Sequence, residues 1–278
     1  MSDFKKPQKS SPPAGKPKDT SWDKVATWYD DLLESGEGTY QHDLILPNVA
    51  RLLELKKGEK VLDLACGQGL FSREFVKAGA KVTGVDLSAK LIAIAKERSP
   101  RDIQFHVSSA DKLDFLDDNS YDAVVCVSAI QNIKNAAGVM GEMFRVLAPG
   151  GRLLIVMNHP AFRVPKRSAW GYDEAKKIQY RRVDEYLSES SSEIAMHPGL
   201  ARTNSSSEFV LGNANATTVS FHHPLQFYFK ALRKAGFLVS RLEEWTSGKE
   251  SQSGPRAGAE NKARKEFPLF LALEARKA

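Results

Sequence analysis

Cysteine is scarce: Cys66 and Cys126 are the only two in 278 residues. Two thiols are too few for a disulfide framework and match no zinc spacing, which points to a reducing compartment with the cytoplasm as the expected location. The six histidines include no His-Glu-x-x-His pattern, so no metal is expected. Long apolar runs are also missing. Residues 1–20 carry no apolar core of the kind a signal peptide needs, and stretches such as Tyr121–Ile130 fall short of a membrane span. A soluble protein with no membrane span is expected. The net charge of +6 looks like a sign of nucleic-acid binding until it is located. Lys5, Lys6, Lys9, Lys16 and Lys18 stand against only Asp3 and Asp19 in residues 1–20, so this tail carries half of it. Its Lys/Pro/Ser/Gly composition cannot build a core, and a disordered, solubilising tail is expected rather than an RNA-guiding arm.

The rest of the chain is long enough to bury a sizeable core. Trp22, Val25, Trp28, Tyr29, Leu32 and Leu33 recur at helical spacing, which predicts an amphipathic helix over 22–34. A second helix is expected over 43–55, stopped at Lys56-Lys57-Gly58. From residue 60 the pattern becomes a strict alternation. Lys60–Ala65, Lys81–Asp86, Ile103–Val107, Tyr121–Val127 and Arg152–Met157 read as buried parallel strands, with amphipathic stretches 69–78, 88–98 and 136–147 between them. The expected fold class is α/β, a doubly wound sheet with helices on both faces. Regularity is lost at Asn158 and returns near Pro224, so 159–223 reads as an insertion over the sheet's C-terminal edge. A helix over Pro224–Ala235, a strand over Phe237–Trp245, a polar segment 246–266 and a last strand over Pro268–Ala275 complete the pattern. The expected division is a basic tail (1–20), N-terminal helices (21–57), a core (58–158), the insertion (159–223) and a C-terminal part of the core sheet (224–278).

The most informative stretch is VLDLACGQG, Val61 to Gly69, a buried strand entering a Gly-x-Gly turn and then a helix. Glycines there let backbone approach a ligand at the edge where open α/β sheets bind ligands. Ser72 stands where a dinucleotide fingerprint needs its third glycine, and no Gly-Lys-Ser/Thr follows, which argues against a nicotinamide or nucleoside-triphosphate site. Asp63 sits just before the turn. A carboxylate there repels a pyrophosphate and favours a cationic ligand, or it accepts hydrogen bonds from its own loop. Asp86 ends the next strand, 17 residues past Gly69. An acid at that place takes ribose hydroxyls, the alternative being a cap on the following helix. Asp111 follows the third strand, where a carboxylate can meet an adenine amino group.

These residues resemble the class I S-adenosylmethionine-dependent methyltransferases, and within them the type 11 group related to the ubiquinone/menaquinone methylases. The likeness runs through Tyr40-Gln41, Leu46-Pro47-Asn48, VLDLACGQG, GVDLS, SAD, YDAVVCVSAIQNI and RVLAPGGRLLIVMNHP, over roughly 40–158, and resumes at Phe221–Leu225, from Leu232 to Phe237 and in the closing strand. The resemblance implies a Rossmann-like, seven-stranded, mostly parallel sheet with a lid, and S-adenosylmethionine as cofactor. It implies that Gly67 and Gly69 approach the methionine part, Asp86 the ribose, Ala110 and Asp111 the adenine, and Ser128 the opposite wall, with Leu87, Tyr29 and Asn132 as further cofactor contacts. One departure stands out: the family's His-Arg-Pro-Leu reads His223-Pro224-Leu225 here, without the arginine.

Methyl transfer from a sulfonium is an in-line displacement, so the protein mainly has to hold the nucleophile close and dry. His159, just beyond the fifth strand, is the candidate general base, or else it orients a turn. His222 and His223 lead into a helix and cap or pack rather than react, although His223 is kept as a substrate candidate. Arg163, Arg181, Tyr186 and, at a turn, His197 are further substrate candidates. Cationic and aromatic groups together suit an anionic or flat acceptor, the alternative being an exposed basic face. The expected activity is methyl transfer to a small-molecule acceptor. The alternatives are an RNA or protein methyltransferase aided by the tail, and a non-catalytic cofactor-binding protein. Nucleic acid is not expected as a partner, since no Asn/Asp-Pro-Pro-aromatic motif follows the fourth strand.

Overall fold

The computed structural model describes residues 22–34, 38–195 and 217–278. The expected tail and His197 lie outside the described residues. Seven strands form the central sheet: β1 (Lys60–Leu64), β2 (Lys81–Asp86), β3 (Gln104–Val107), β4 (Tyr121–Val127), β5 (Leu147–Asn158), β10 (Phe237–Trp245) and β11 (Phe270–Lys277). Their order is β10-β11-β5-β4-β1-β2-β3. β1 to β5 run parallel, whereas β11 lies antiparallel between β5 and β10. The sheet is therefore the doubly wound, mostly parallel one expected from the alternation. β4 shows why both of its faces are apolar: Val124 and Cys126 enter one core cluster and Ala123, Val125 and Val127 the other, one on each side of the sheet.

Helices α2 (Leu46–Leu53), α3 (Leu70–Lys77), α4 (Ala89–Arg98), α5 (Ala136–Val146) and α6 (Leu225–Ala235) cover the sheet. Their ends follow local chemistry. The Leu91 amide donates to the Ser88 hydroxyl at the start of α4, and the Gly138 amide to Asn135 at the start of α5. Gly236, at φ +106°, closes α6 in the left-handed region.

Several expectations need correction. The helix expected over 22–34 begins later, as α1 (Ala26–Glu34) after turns. The second helix opens as a π-helical turn over Gln41–Ile45. The segment 246–266 contains a helix, α7 (Ala257–Glu266), that has a single buried residue, Ala263, and so gives no apolar stripe to detect. The described part of the insertion is not irregular. It holds the hairpin β6 (Ser168–Asp173) with β7 (Ile178–Val183), and the antiparallel pair β8 (Ser190–Ala195) with β9 (Thr217–His222).

Candidate active site

The C-terminal ends of β1, β2 and β4 open into a cavity of about 830 Å3. Its edge is conformationally special. Ala65 and Ser128, following β1 and β4, take positive φ of 59° and 55° without being glycine, a strain that clusters at ligand sites. Gly67 follows at φ +58°, and a Cβ there would meet only the Tyr29 ring, at 3.8 Å.

Three carboxylates face this cavity. Asp86 accepts from the amides of Gly67 (2.9 Å) and Ser88 (2.8 Å), which locks the glycine turn to the end of β2. Burial raises its pKa against the lowering effect of these bonds. Asp63 is almost fully buried and accepts from the Ser72 hydroxyl at 2.6 Å. Burial pushes its carboxyl to about 7, with Asp86 nearby adding to the rise. Asp111 accepts from Ser109 at 2.5 Å and Asn135 at 2.7 Å, and these bonds hold its pKa low. Against the three acids the cavity wall carries, among the described residues, one lysine, Lys134. The field therefore favours a cation and disfavours a pyrophosphate. The Ser128 hydroxyl and the Gln68 side-chain oxygen are buried at this wall without hydrogen-bond partners among the described residues. Tyr29 is pushed up to about 12 by burial and stays a neutral phenol, and burial keeps the Cys66 thiol protonated.

The N-terminal segment supplies Trp22, Tyr29, Leu33 and Gln41 to the same cavity, and β9 supplies Val219 and Phe221. Three contacts pin that segment down. The Ser88 hydroxyl donates to Asp23 at 2.6 Å, Arg98 meets Asp30 at 2.6 Å, and Arg73 meets Glu34 at 2.7 Å. Asp23 had no signal in the sequence pattern, because it acts across a long separation in the chain.

Of the expected cofactor residues, Asp63, Gly67, Asp86, Leu87, Ala110, Asp111, Ser128, Tyr29 and Asn132 all line the cavity. Gly69 does not. It starts α3 at φ +84°, and a Cβ there would meet Phe105, Ala95 and Ser99 at 3.1–3.3 Å, so its role is to let the turn pack on the protein interior. The acceptor candidates are also displaced. His159 is buried away from the cavity, donates from Nε2 to Glu244 at 2.7 Å, and accepts at Nδ1 from the Ala161 amide. Its one lone pair is occupied, and burial lowers its pKa, so it is not placed to act as a base. The Tyr186 phenol accepts from the Leu225 amide and caps α6. His223 stacks on Phe227 at 3.9 Å. Arg163 and Arg181 line a different, smaller cavity.

The family model described as "Methyltransferase domain" matches residues 62–155. Over that segment, about a third of the chain, the sequence is similar to the methyltransferases of this family. A demethylmenaquinone methyltransferase of Paenarthrobacter aurescens is 36% identical over 145 residues, 51% of this chain and 55% of that protein. The chain spans little more than half the length of the curated relatives it matches first. An S-adenosylmethionine-dependent methyltransferase of Mesorhizobium loti has the same fold at a TM-score of 0.64 and 24% identity, covering 86% of this chain and 99% of that one. A cyclase, SpnF, also has it, at 0.58 and 19% identity, covering 95% and 99%. The methyltransferase fold thus supports more than one chemistry, and the site must carry the functional argument. The cofactor of the family, S-adenosylmethionine, fits what the cavity offers: a cation-favouring acid set, a backbone turn without a side chain at Gly67, and unpartnered polar atoms at Ser128 and Gln68.

Proposed function

We propose that the chain transfers a methyl group from S-adenosylmethionine to a flat, largely apolar small molecule held in the same cavity. The observation that carries this reading is the pairing of Asp63, Asp86 and Asp111 on one wall with Trp22, Leu33, Val219 and Phe221 on another. Asp86, fixed by the Gly67 and Ser88 amides, would accept from the ribose hydroxyls. Asp111 would meet the adenine end, while Asp63 and the Gly67 turn would hold the methionine end. The bound cofactor supplies an electrophilic methyl group, and the residues around it supply position and dryness.

The N-terminal segment and β9 would act as the lid, since both contribute side chains that cover the acid wall. An anionic handle on the acceptor loses its support, because Arg163 and Arg181 face elsewhere. A demethylmenaquinone-like acceptor, the kind named for the curated relatives, is the first to test. Incubation with methyl-labelled S-adenosylmethionine and reduced demethylmenaquinone, beside RNA and protein controls, should label the quinone fraction alone. Label in the RNA or protein controls, or none in any fraction, would overturn the reading.

A further inference from the structure

We propose that a second cavity, bounded by the β6–β7 hairpin, α7 and the segment after β5, binds a compact oxyanion, phosphate or carboxylate, apart from the methyl-transfer site. It has a volume of about 280 Å3 and shares no lining residue with the larger one. Arg163, Arg181 and Arg264 converge on it beside Tyr40, Ser247 and Trp170.

Each of the three guanidinium groups uses fewer than half of its five N–H donors among the described residues. Arg163 donates from Nη1 to Asn158 at 2.6 Å, Arg181 from Nε to the Phe162 carbonyl and from Nη2 to Ser168, and Arg264 from Nε to Ser251. That leaves Nε and Nη2 of Arg163, Nη1 of Arg181 and both Nη atoms of Arg264 without a partner among the described residues. None of the three meets a carboxylate there, whereas Arg145 and Arg152 each do. Glu244, whose partner His159 stacks on the wall residue Phe162, is already engaged. Like charges brought together and partly desolvated are costly unless a counter-charge joins them. The stress is visible in the side chains: burial pulls the Arg163 guanidinium below its ordinary pKa and Arg181 adds to the effect, and burial does the same to Arg181.

The groups are also held in place. Arg181 lies over the Trp170 ring at 5.1 Å and Arg163 over Phe270 at 5.3 Å, contacts that fix a planar fork before any ligand arrives. The hydroxyls of Tyr40 and Ser247, 3.0 Å apart, add a donor, and Lys249 over the Tyr40 ring adds a fourth positive charge. Forked, preorganised donors around a small space suit the paired oxygens of a phosphate or carboxylate. The volume admits the oxyanion with a small body, and less than a drug-sized molecule needs.

The test is calorimetric titration of the whole chain with inorganic phosphate and, in a separate arm, with benzoate, at ionic strength fixed by chloride. Saturable binding tighter than about 1 mM is expected in one arm, and the arm that binds more tightly assigns the class of oxyanion. Arg264→Gln and Arg181→Gln should each weaken it by about tenfold or more. Arg264→Lys, checked for native circular dichroism, keeps the charge and should bind at an intermediate level. Saturating S-adenosylmethionine should leave the anion affinity unchanged, so the result stands apart from the activity proposed above. No saturable binding in either arm, unchanged affinity in a folded Arg264→Gln, or displacement by S-adenosylmethionine would each overturn the proposal.

Discussion

Asp63→Asn gives the sharpest test of the acid wall. In the free protein the Asp63 carboxyl is buried, accepts from the Ser72 hydroxyl at 2.6 Å, and is pushed by burial to about 7. A cationic ligand group opposite it needs the ionised form. At pH 5.5 only a few per cent of such a group is ionised, against about three-quarters at pH 7.5, so affinity for S-adenosylmethionine should rise roughly 25-fold over that interval and level off above it. Stability of the unliganded protein should run the other way. A buried acid with a raised folded pKa holds a proton that the unfolded chain releases, so stability falls as pH rises from about 4 to about 7. The substitution should flatten the pH dependence and weaken binding at pH 7.5 by about 1.5–3 kcal/mol, or roughly 10- to 150-fold, the worth of a charged hydrogen bond. Calorimetry in two buffers of different ionisation enthalpy counts the proton released. Affinity that is flat from pH 5.5 to 7.5 in the parent protein, or an identical slope in Asp63→Asn, would refute the reasoning.

Three further substitutions have defined outcomes. Gly84→Ala puts a Cβ 2.5 Å from Phe105 Cδ1 in the core, and should cost about 1–3 kcal/mol in urea unfolding by overpacking. Ser88→Ala removes the α4 cap and the donor to Asp23; a loss of about 1 kcal/mol is expected, together with weaker cofactor binding as the N-terminal segment loosens. His159→Gln should lower thermal stability by breaking the contact with Glu244, yet leave the pH profile of methyl transfer unchanged; a profile that loses its acidic limb would restore His159 as the base.

The sheet was legible because buried parallel strands are apolar on both faces and the segments between them repeat at helical spacing, as β4 shows. The strand-end acids were legible for a related reason. Asp86 and Asp111 stand at the C-terminal edge of a parallel sheet, where ligands gather, and that position follows from the strand boundaries alone. Gly69 was misplaced because two glycines in one turn look alike in sequence, while only the backbone decides which faces the ligand. Gly67 turns toward Tyr29 and Gly69 toward Phe105. Arg181 was misread for want of the β6–β7 hairpin, which carries it to a separate cavity that Arg163 also lines. Helix α7 escaped notice because it buries only Ala263. Asp23 escaped because its partner Ser88 lies 65 residues away, and no local pattern encodes such a contact.

The central claim is that the acid-lined cavity at the strand ends holds S-adenosylmethionine. Calorimetric titration with S-adenosylmethionine and, separately, NADH, on the parent chain and on Asp86→Ala, tests it most directly. The account predicts saturable binding of S-adenosylmethionine alone, weakened in Asp86→Ala; absence of that binding, equal binding of NADH, or affinity unaffected by the substitution would contradict it.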